Sequence, residues 1–213
     1  MCDFLFPTMA RLKRIILILV LIAGGASGWQ PYAQERLRAG ISSQIHNTRM
    51  MVDYSSTKVK GAFRPTDVLF AELEFGRHMA IHTGLGYTMM TQNSDAFKNN
   101  FHYLALPLYL KIGRLKGNQH AVFTSFIGTD MHYLLKADHV TPDGDKTDIM
   151  EYAQKFHSDL VGGAGIKFRL TDRFALEGMV SVSIGSNVCI ENEALMDINN
   201  LNTGYRLNLS YKF

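Results

Sequence analysis

The chain has 213 residues, of which 46% are hydrophobic and 19% charged, with a formal net charge of +3. This length is enough for one domain of ordinary size, and the small charge without a basic run after the N-terminal segment argues against nucleic acid as a partner. The mean hydropathy of −0.03 is that of an average soluble protein. A transmembrane β-barrel has a similar average because its strands alternate apolar and polar residues.

The N-terminus has the three parts of an export signal. A basic segment, the apolar run IILILVLI and the small-residue segment AGGASG follow one another; they comprise Arg11, Lys13 and Arg14, then Ile15–Ile22, then Ala23–Gly28. The apolar run is far shorter than the ~20 residues of a spanning helix. We therefore predict a signal peptide over residues 1–33, cleaved after Gly28 or after Ala33, and a mature domain over residues 34–213. Translation starts at Met1 or Met9, and a retained N-terminal helix is the alternative.

The chain has two cysteines, Cys2 and Cys189. Cys2 lies before or within the predicted signal, so the mature chain has a single thiol and cannot form an internal disulfide. No CxxC and no zinc-type spacing is present, and we expect Cys189 to be an unpaired loop cysteine.

Alternation with a period of two residues recurs after residue 34, whereas no long stretch has a period of 3.6 residues. The pattern predicts eight strands of roughly 10 to 14 residues, enough for a tilted crossing of a bilayer, which needs ~9–11. Their apolar faces, in chain order, are Leu37, Ala39, Ile41 and Ile45; Leu69, Ala71, Leu73 and Phe75; Met79, Ile81, Leu85, Tyr87 and Met89; Leu104, Leu106, Leu108, Leu110 and Ile112; Phe123, Ile127, Met131, Tyr133 and Leu135; Leu160, Ala164, Ile166, Phe168 and Leu170; Phe174, Leu176, Val180, Val182 and Ile184; and Tyr205, Leu207, Leu209, Tyr211 and Phe213.

Short and long connections alternate along the chain. The predicted tight turns are GRH (Gly76–His78), RLKGNQ (Arg114–Gln119) and TDR (Thr171–Arg173), and the longer polar loops run through about Asn47–Thr66, Gln92–Asn100, Ala137–Lys155 and Ser186–Leu201. Short turns at one end and long loops at the other are typical of outer-membrane barrels, whose even strand count puts both termini at the periplasmic end. Because backbone groups must all be paired in lipid, the sheet must close. We predict an all-β fold, a closed eight-stranded antiparallel up-and-down transmembrane β-barrel.

Proline is unexpected in the middle of such a strand because it removes one donor of the ladder. Pro107 lies inside the fourth predicted strand. We interpret it as a bulge or a kink at a strand end.

The polar faces of the predicted strands carry charges of both signs. They are Arg36, Arg38, Glu72, Glu74, Lys111, Asp130, Asp159, Lys167, Arg169, Glu177, Arg206 and Lys212. The interior of an eight-stranded barrel is filled by side chains, and each buried charge there needs a partner. We interpret the charges as a structural network and expect no catalytic residues, no cofactor and no metal site. A soluble lipocalin-like periplasmic carrier, the alternative barrel, would instead place its apolar face inside.

Several segments resemble the outer-membrane β-barrel domain family of the Bacteroidetes type, the PorT-like or porin-family small barrels. They are YLALPLYLKIG (Tyr103–Gly113), AVFTSFIGTDMHYLL, DLVGGAGIKFRLTDRFALEGMVSVSIGSN and the terminal YRLNLSYKF. The first is similar to the family's YL-x-x-P-L-x-x-K strand, which includes a proline at the position of Pro107. The stretch Gly128-Thr129-Asp130 departs from the family pattern. The resemblance implies a Gram-negative outer membrane and no shared catalytic residues.

The leading functional hypothesis is a small integral outer-membrane protein with a structural role, or a role in binding an unknown protein partner through its external loops. The loop segment TPDGDKTD, Thr141–Asp148, could bind a divalent ion, but a solvated turn is favoured because no EF-hand pattern completes there. A lipid-modifying enzyme is an alternative, with His132 and Asp130, or His157, Ser158 and Asp159, as its candidate residues. Adjacent residues of a strand point to opposite faces, so Ser158 cannot meet His157 or Asp159 within the strand.

The terminal YRLNLSYKF is predicted to be the closing strand, pairing with the strand that begins near Glu35 and removing the last open edge. Its apolar side would face outer-membrane lipid, with aromatic residues near the two interfaces. By the family resemblance, the barrel-assembly machinery is a partner that recognises the strand ending at Phe213.

Overall fold

The structure, a computed structural model, describes residues 37–52, 62–75, 78–93, 98–115, 119–151, 153–185 and 198–213. The predicted signal peptide, Arg36 and Cys189 lie outside these ranges. Within them, no helix is long and apolar enough to cross a membrane.

The described residues form nine strands. They are β1 (Leu37–Val52), β2 (Ala62–Phe75), β3 (Met79–Asn93), β4 (Lys98–Ile112), β5 (Ala121–Val140), β6 (Lys146–Asp148), β7 (Phe156–Arg169), β8 (Phe174–Gly185) and β9 (Ile198–Lys212). The eight long strands pair antiparallel with their neighbours along the chain, β5 pairing with both β4 and β7, and β1 pairs with β9. The eight long strands therefore close into an antiparallel barrel, as predicted. The short β6 is an addition that pairs only with β5 among the described strands.

Several strands are longer than predicted at the loop end of the barrel. β1 continues past His46 to Val52, and the prediction that a loop begins at Asn47 and lasts to Thr66 is wrong. Asn47 and Thr48 pair with β2 on one side and with β9 on the other. Backbone pairing needs no apolar side chains, so the sheet continues where the sequence turns polar. The connection between β3 and β4 is likewise short, because only residues 94–97 separate the two strands.

The bulge or strand-end kink that the sequence predicted at Pro107 does not lie at that residue. Pro107 lies within β4 and pairs with Asp130 of β5. Towards β3 the pairing passes from Thr83 with Leu108 to Gly86 with Ala105 without a change of register. The register shift between β4 and β5 falls at His102 and Tyr103 instead.

The bulge lies in β5, whose register with β4 passes from His102 opposite Lys136 to Tyr103 opposite Leu134. Leu135 has no Cα partner in this register, and Leu135 and Lys136 are both exposed. A bulge of this type leaves one extra residue unpaired and bends the strand. After it the alternation is reversed, so that Ala137 faces inward and is fully buried.

Apolar side chains cover the outside of the barrel. Leu69 of β2, Ile127 of β5 and Leu160 of β7 are each at least 60% exposed. On β3 the outward row runs from Met79 to Met89, ten residue steps or about 34 Å along the strand, and about 26 Å along the barrel axis at a tilt of about 40°. This height matches the ~25 Å apolar band of transmembrane barrels.

Outward-facing aromatic residues lie towards the ends of this band. Towards the loops they are Tyr87, Tyr133, Phe156 and Tyr205; towards the turns they are Phe123, Phe168, Phe174, Tyr211 and Phe213. Phe213 follows the last residue of β9, and its backbone N–H donates to the Leu37 carbonyl at 3.2 Å. Its ring is edge-on to Tyr211, which is edge-on to Phe174. The sequence-based expectation of aromatic residues at both edges agrees with this arrangement.

Candidate functional site

The interior of the barrel, the lumen, contains an equal number of buried acidic and basic side chains. Five are basic and five acidic among the described residues: Arg38, Arg64, Lys111, Lys167 and Arg206 against Glu72, Glu74, Asp130, Asp159 and Glu177. Each is less than 10% exposed. With neutral histidines their charges sum to zero, which is what a low-dielectric interior requires of unsolvated charges. The predicted inward network is therefore confirmed for these groups, while Arg169 and Lys212 are half-buried at the turn end.

At the turn end, Glu74 joins two arginines. Its carboxylate accepts from Arg38 Nε at 2.8 Å and pairs with Arg114 Nε at 2.6 Å. Arg114 follows β4 and reaches back over the barrel opening, where it is 23% exposed. These two ion pairs connect the turn between β4 and β5 to strands β1 and β2.

Above it lies the central ion cluster, defined as Glu72, Lys111, Lys167 and Glu177. Lys111 donates to Glu72 at 2.7 Å and to Glu177 at 2.7 Å, and Lys167 donates to Glu72 at 2.6 Å. Asn208 of β9 donates to the same Glu177 oxygen at 2.8 Å. These contacts connect β2, β4, β7, β8 and β9 across the lumen, so the cluster braces opposite walls of the barrel.

The middle of the lumen is packed with aromatic and apolar side chains. Tyr109, Phe126, Val161 and Met179 form one buried cluster. The Arg206 guanidinium lies 4.6 Å from the Tyr109 ring centre and 4.7 Å from that of Phe126, and it donates to the Tyr109 hydroxyl at 2.8 Å. That hydroxyl donates in turn to Asp130. The lumen is thereby blocked at mid-height by large side chains.

Glycines on the inner wall make room for these rings. A Cβ at Gly163 would lie 2.5 Å from the Phe126 ring, and one at Gly128 would lie 2.9 Å from the Tyr109 ring. Both glycines are in strands, where the missing side chain leaves space for a large neighbour.

In the loop half of the lumen, four side chains form what we call the upper cluster: Arg64, His132, His157 and Asp159. Arg64 donates to Asp159 Oδ2 at 3.3 Å and to Thr88 Oγ1 at 3.1 Å, and its other amino group contacts the His132 ring. The His132 and His157 rings are stacked with their centres 4.6 Å apart. Beside the cluster a cavity of about 10 Å³ is lined by Gln44, His46, Arg64 and Asp130 among others, which is space for about one water molecule.

The barrel mouth is covered on its inner side by residues of the connection between β5 and β7. Ala153 is buried against Met90, Phe101 and Leu134, and Ile149 and Met150 pack on the same cluster. The segment is held by backbone bonds, from Ile149 N to Ala137 O at 3.0 Å and from Leu134 N to Lys155 O at 2.8 Å. This loop is therefore an ordered part of the fold.

The loop segment Thr141–Asp148, for which ion binding was the less favoured alternative, forms a hairpin turn after β5 together with the short strand β6. The Thr141 carbonyl accepts the Gly144 N–H at 3.0 Å, and the Thr141 N–H donates to the Asp145 carbonyl at 3.0 Å. Gly144 has a φ of +91°, which suits glycine. The acidic side chains Asp143, Asp145 and Asp148 are exposed. The favoured interpretation as a solvated turn agrees with this geometry.

The candidate residues of the enzyme hypothesis are separated by the wall of the barrel. Asp130, His132, His157 and Asp159 are buried in the lumen, whereas Ser158 is exposed on the outer face. The structure thus brings the two histidines together but places the serine hydroxyl on the opposite side of the sheet, as the period of a strand requires.

Other residues of the lumen were not predicted to be there. Arg64 falls in a predicted loop, and Tyr103 and Tyr109 were not assigned to the inner face. Arg64 shares the inward face of β2 with Thr66, Val68 and Phe70, and each of these residues is buried. Because this inward face mixes charged, polar and apolar residues, the sequence carries no clear signal for it.

No family profile and no curated protein sequence matches the chain. The solved structures that resemble its fold include the following two. Neisserial surface protein A is 9% identical, with a TM-score of 0.56 over 83% of this chain and 97% of that one. The outer membrane protein OprG from Pseudomonas aeruginosa is 12% identical, with a TM-score of 0.51 over 85% of this chain and 97% of that one. At these identities the likeness establishes the fold, a closed eight-stranded antiparallel barrel.

Proposed function

We propose that the protein is a small integral outer-membrane β-barrel of a Gram-negative bacterium, exported by a cleaved signal peptide. The observation that carries the proposal is the inverted polarity of the barrel. Its outer surface exposes large apolar side chains, such as Leu69, Ile127 and Tyr205, in a band of membrane height. Its lumen holds five basic and five acidic buried side chains among the described residues. One of the two similar folds is, by its own description, an outer membrane protein.

The same polarity argues against the soluble lipocalin-like carrier. A carrier of that kind would need an apolar cavity inside and a polar surface outside. Here the interior is filled by Tyr109, Phe126 and the central ion cluster, and the cavity beside the upper cluster holds about 10 Å³.

Within this class we propose a structural or loop-mediated binding role without catalysis or solute conduction. The blocked lumen supports the absence of conduction, because Arg206 and the rings of Tyr109 and Phe126 fill its middle. The position of Ser158 on the outer face, with both histidines buried inside the lumen, disfavours the lipid-modifying enzyme. Membership of the PorT-like family rests on the sequence motifs around Pro107 and on the terminal strand.

Fractionation tests the proposal. Expressed from its complete sequence in a Gram-negative host, the protein should stay in the outer-membrane pellet after a carbonate wash. It should also migrate faster on a gel when unheated than when boiled, since an intact barrel stays compact in detergent. Release into the soluble fraction would refute the membrane assignment. Replacing His132 and His157 by alanine should leave the lipid composition of the membrane unchanged, and an altered composition would revive the enzyme hypothesis.

A further inference from the structure

The upper cluster contains three groups of the kinds that bind transition metals. His132 of β5 and His157 of β7 are directly opposite each other in the sheet, and Asp159 follows His157 on the same face. One nitrogen or oxygen atom from each residue lies within 4.8 Å of those of the other two. We propose that His132, His157 and Asp159 form a binding site for a divalent transition-metal ion inside the lumen, with Zn²⁺ as its simplest occupant.

The ligand chemistry selects the class of ion. Two imidazoles and one carboxylate suit Zn²⁺, Co²⁺, Ni²⁺ or Cu²⁺, whereas Ca²⁺ and Mg²⁺ require oxygen ligands. In a tetrahedral site with bonds of ~2.1 Å the ligand atoms are about 3.4 Å apart. The distance from His132 Nε2 to Asp159 Oδ2 is already 3.7 Å.

The sheet supplies this proximity without strain. Opposed residues of paired strands have Cβ atoms about 5 Å apart, and residues two apart on one strand share a face. Rotation of the side chains about their own bonds is then enough to converge three ligands, and the backbone of β5 and β7 keeps its register. No sequence spacing predicts such a site, because His132 and His157 come from strands joined by a long loop.

Two buried polar atoms at the same place lack a partner in the described structure. They are Nδ1 of His157, a residue 4% exposed, and the hydroxyl of Tyr103, a residue 1% exposed. The Tyr103 ring stands edge-on to His157 with the centres 4.8 Å apart, and edge-on to His132 at 6.0 Å. Buried polar groups are normally satisfied, so these two atoms point to a missing ligand. A metal ion would satisfy the imidazole, and its fourth position would be open to the hydroxyl or to a water molecule.

Arg64 competes for the same site. Its guanidinium donates to Asp159 Oδ2 at 3.3 Å and lies within hydrogen-bonding distance of both ring nitrogens of His132. A metal ion would use the same carboxylate oxygen and one of the His132 nitrogens, and the two cations repel each other. Metal binding therefore requires the guanidinium to turn away from these atoms, towards Gln44 and Asp130, which line the same cavity as Arg64. The competition predicts that removing the arginine tightens metal binding.

The test uses the mature chain folded in detergent without a histidine tag. Zn²⁺ is titrated by calorimetry, and Co²⁺ by its visible absorption, which intensifies in a tetrahedral site. We expect one ion per chain. His132→Ala, His157→Ala and Asp159→Asn should each weaken binding by about tenfold or more, whereas Arg64→Gln should strengthen it by about tenfold or more. His120→Ala, which removes an exposed histidine at the turn end, is the matched control and should bind like the wild type.

Stability gives a second readout that does not depend on the folding of any single ligand variant. Zn²⁺ at a hundred times its Kd should raise the folding equilibrium constant of the wild-type protein about a hundredfold. No uptake of either ion by the wild-type protein would overturn the proposal. Equal binding by the wild type and by folded Asp159→Asn or His157→Ala would overturn it too. Binding by the Arg64→Gln variant alone, with no site in the wild type, would also overturn it.

Discussion

Replacing Glu72 by glutamine tests whether the charges of the lumen stabilise the barrel as a paired set. Glu72 is 3% exposed and accepts from Lys111 at 2.7 Å and from Lys167 at 2.6 Å. After the substitution Lys111 keeps Glu177 as a partner at 2.7 Å. Lys167 loses its hydrogen-bonded carboxylate and remains a buried cation.

The size of the effect follows from these contacts. Removing one member of a buried ion pair costs about 3–5 kcal/mol because the remaining charge stays unsolvated. The glutamine carbonyl can still accept one bond, so we expect the lower end, about 3 kcal/mol. This corresponds to a loss of about a hundredfold in the folding equilibrium constant.

The assay is urea unfolding of the barrel in lipid vesicles, followed by the fraction of the chain that migrates as the compact unheated form. Glu151→Gln, the same substitution at an exposed loop position, is the control and should unfold with the wild type. The double variant Glu72→Gln with Lys167→Met should recover part of the loss, because it removes the orphaned cation. If Glu72→Gln lies within about 0.5 kcal/mol of the control, the paired-charge account of the lumen is refuted.

Three further predictions use the same gel assay. Leu207→Arg, on the outer face of β9, should cost about 2–4 kcal/mol in vesicles, whereas Thr203→Arg nearer the loop end of the same face should cost at most about 1 kcal/mol; equal costs would contradict the membrane band. Gly165→Ala should destabilise the barrel, because its Cβ would lie 2.1 Å from the Gly178 carbonyl oxygen. Gly178→Ala should destabilise it less, because its Cβ meets no atom within 4 Å; a larger loss of stability in Gly178→Ala would contradict this packing of β7 against β8. Deleting Phe213 should lower the amount of barrel assembled in cells, and normal surface levels would count against recognition of the terminal strand.

The alternation of residues was sufficient to predict the fold because each long strand keeps it over most of its length. The exposed Leu207 and Leu209 and the buried Asn208 and Ser210 follow the predicted faces of the terminal strand. The same alternation assigned the charged residues to the lumen. A strand that carries lysine or glutamate on one face and leucine on the other has only one way to lie in a barrel that crosses lipid.

The pattern is weakest where both faces of a strand are apolar or both are polar. In β4 the outward leucines were assigned correctly, but the inward Phe101, Tyr103 and Tyr109 are aromatic and were not assigned to the lumen. Arg64 was assigned to a loop because Pro65 and the polar residues around it hide the alternation of β2.

Contacts between distant strands were also beyond prediction. The register that places His132 opposite His157 depends on how β5 and β7 pair across their long connection. The bulge at Leu135, which turns Ala137 inward, leaves no distinct signal in the sequence.

Spin labels along β9 test the central claim, the inverted polarity of the barrel, most directly. Single cysteines at 207, 208, 209 and 210, in a chain with Cys189 replaced by serine, would be labelled and folded into vesicles. Labels at 207 and 209 should be accessible to oxygen dissolved in lipid and protected from a water-soluble nickel complex, whereas labels at 208 and 210 should be shielded from oxygen. Access of the nickel complex to positions 207 and 209 would show that the apolar face meets water and would contradict the account.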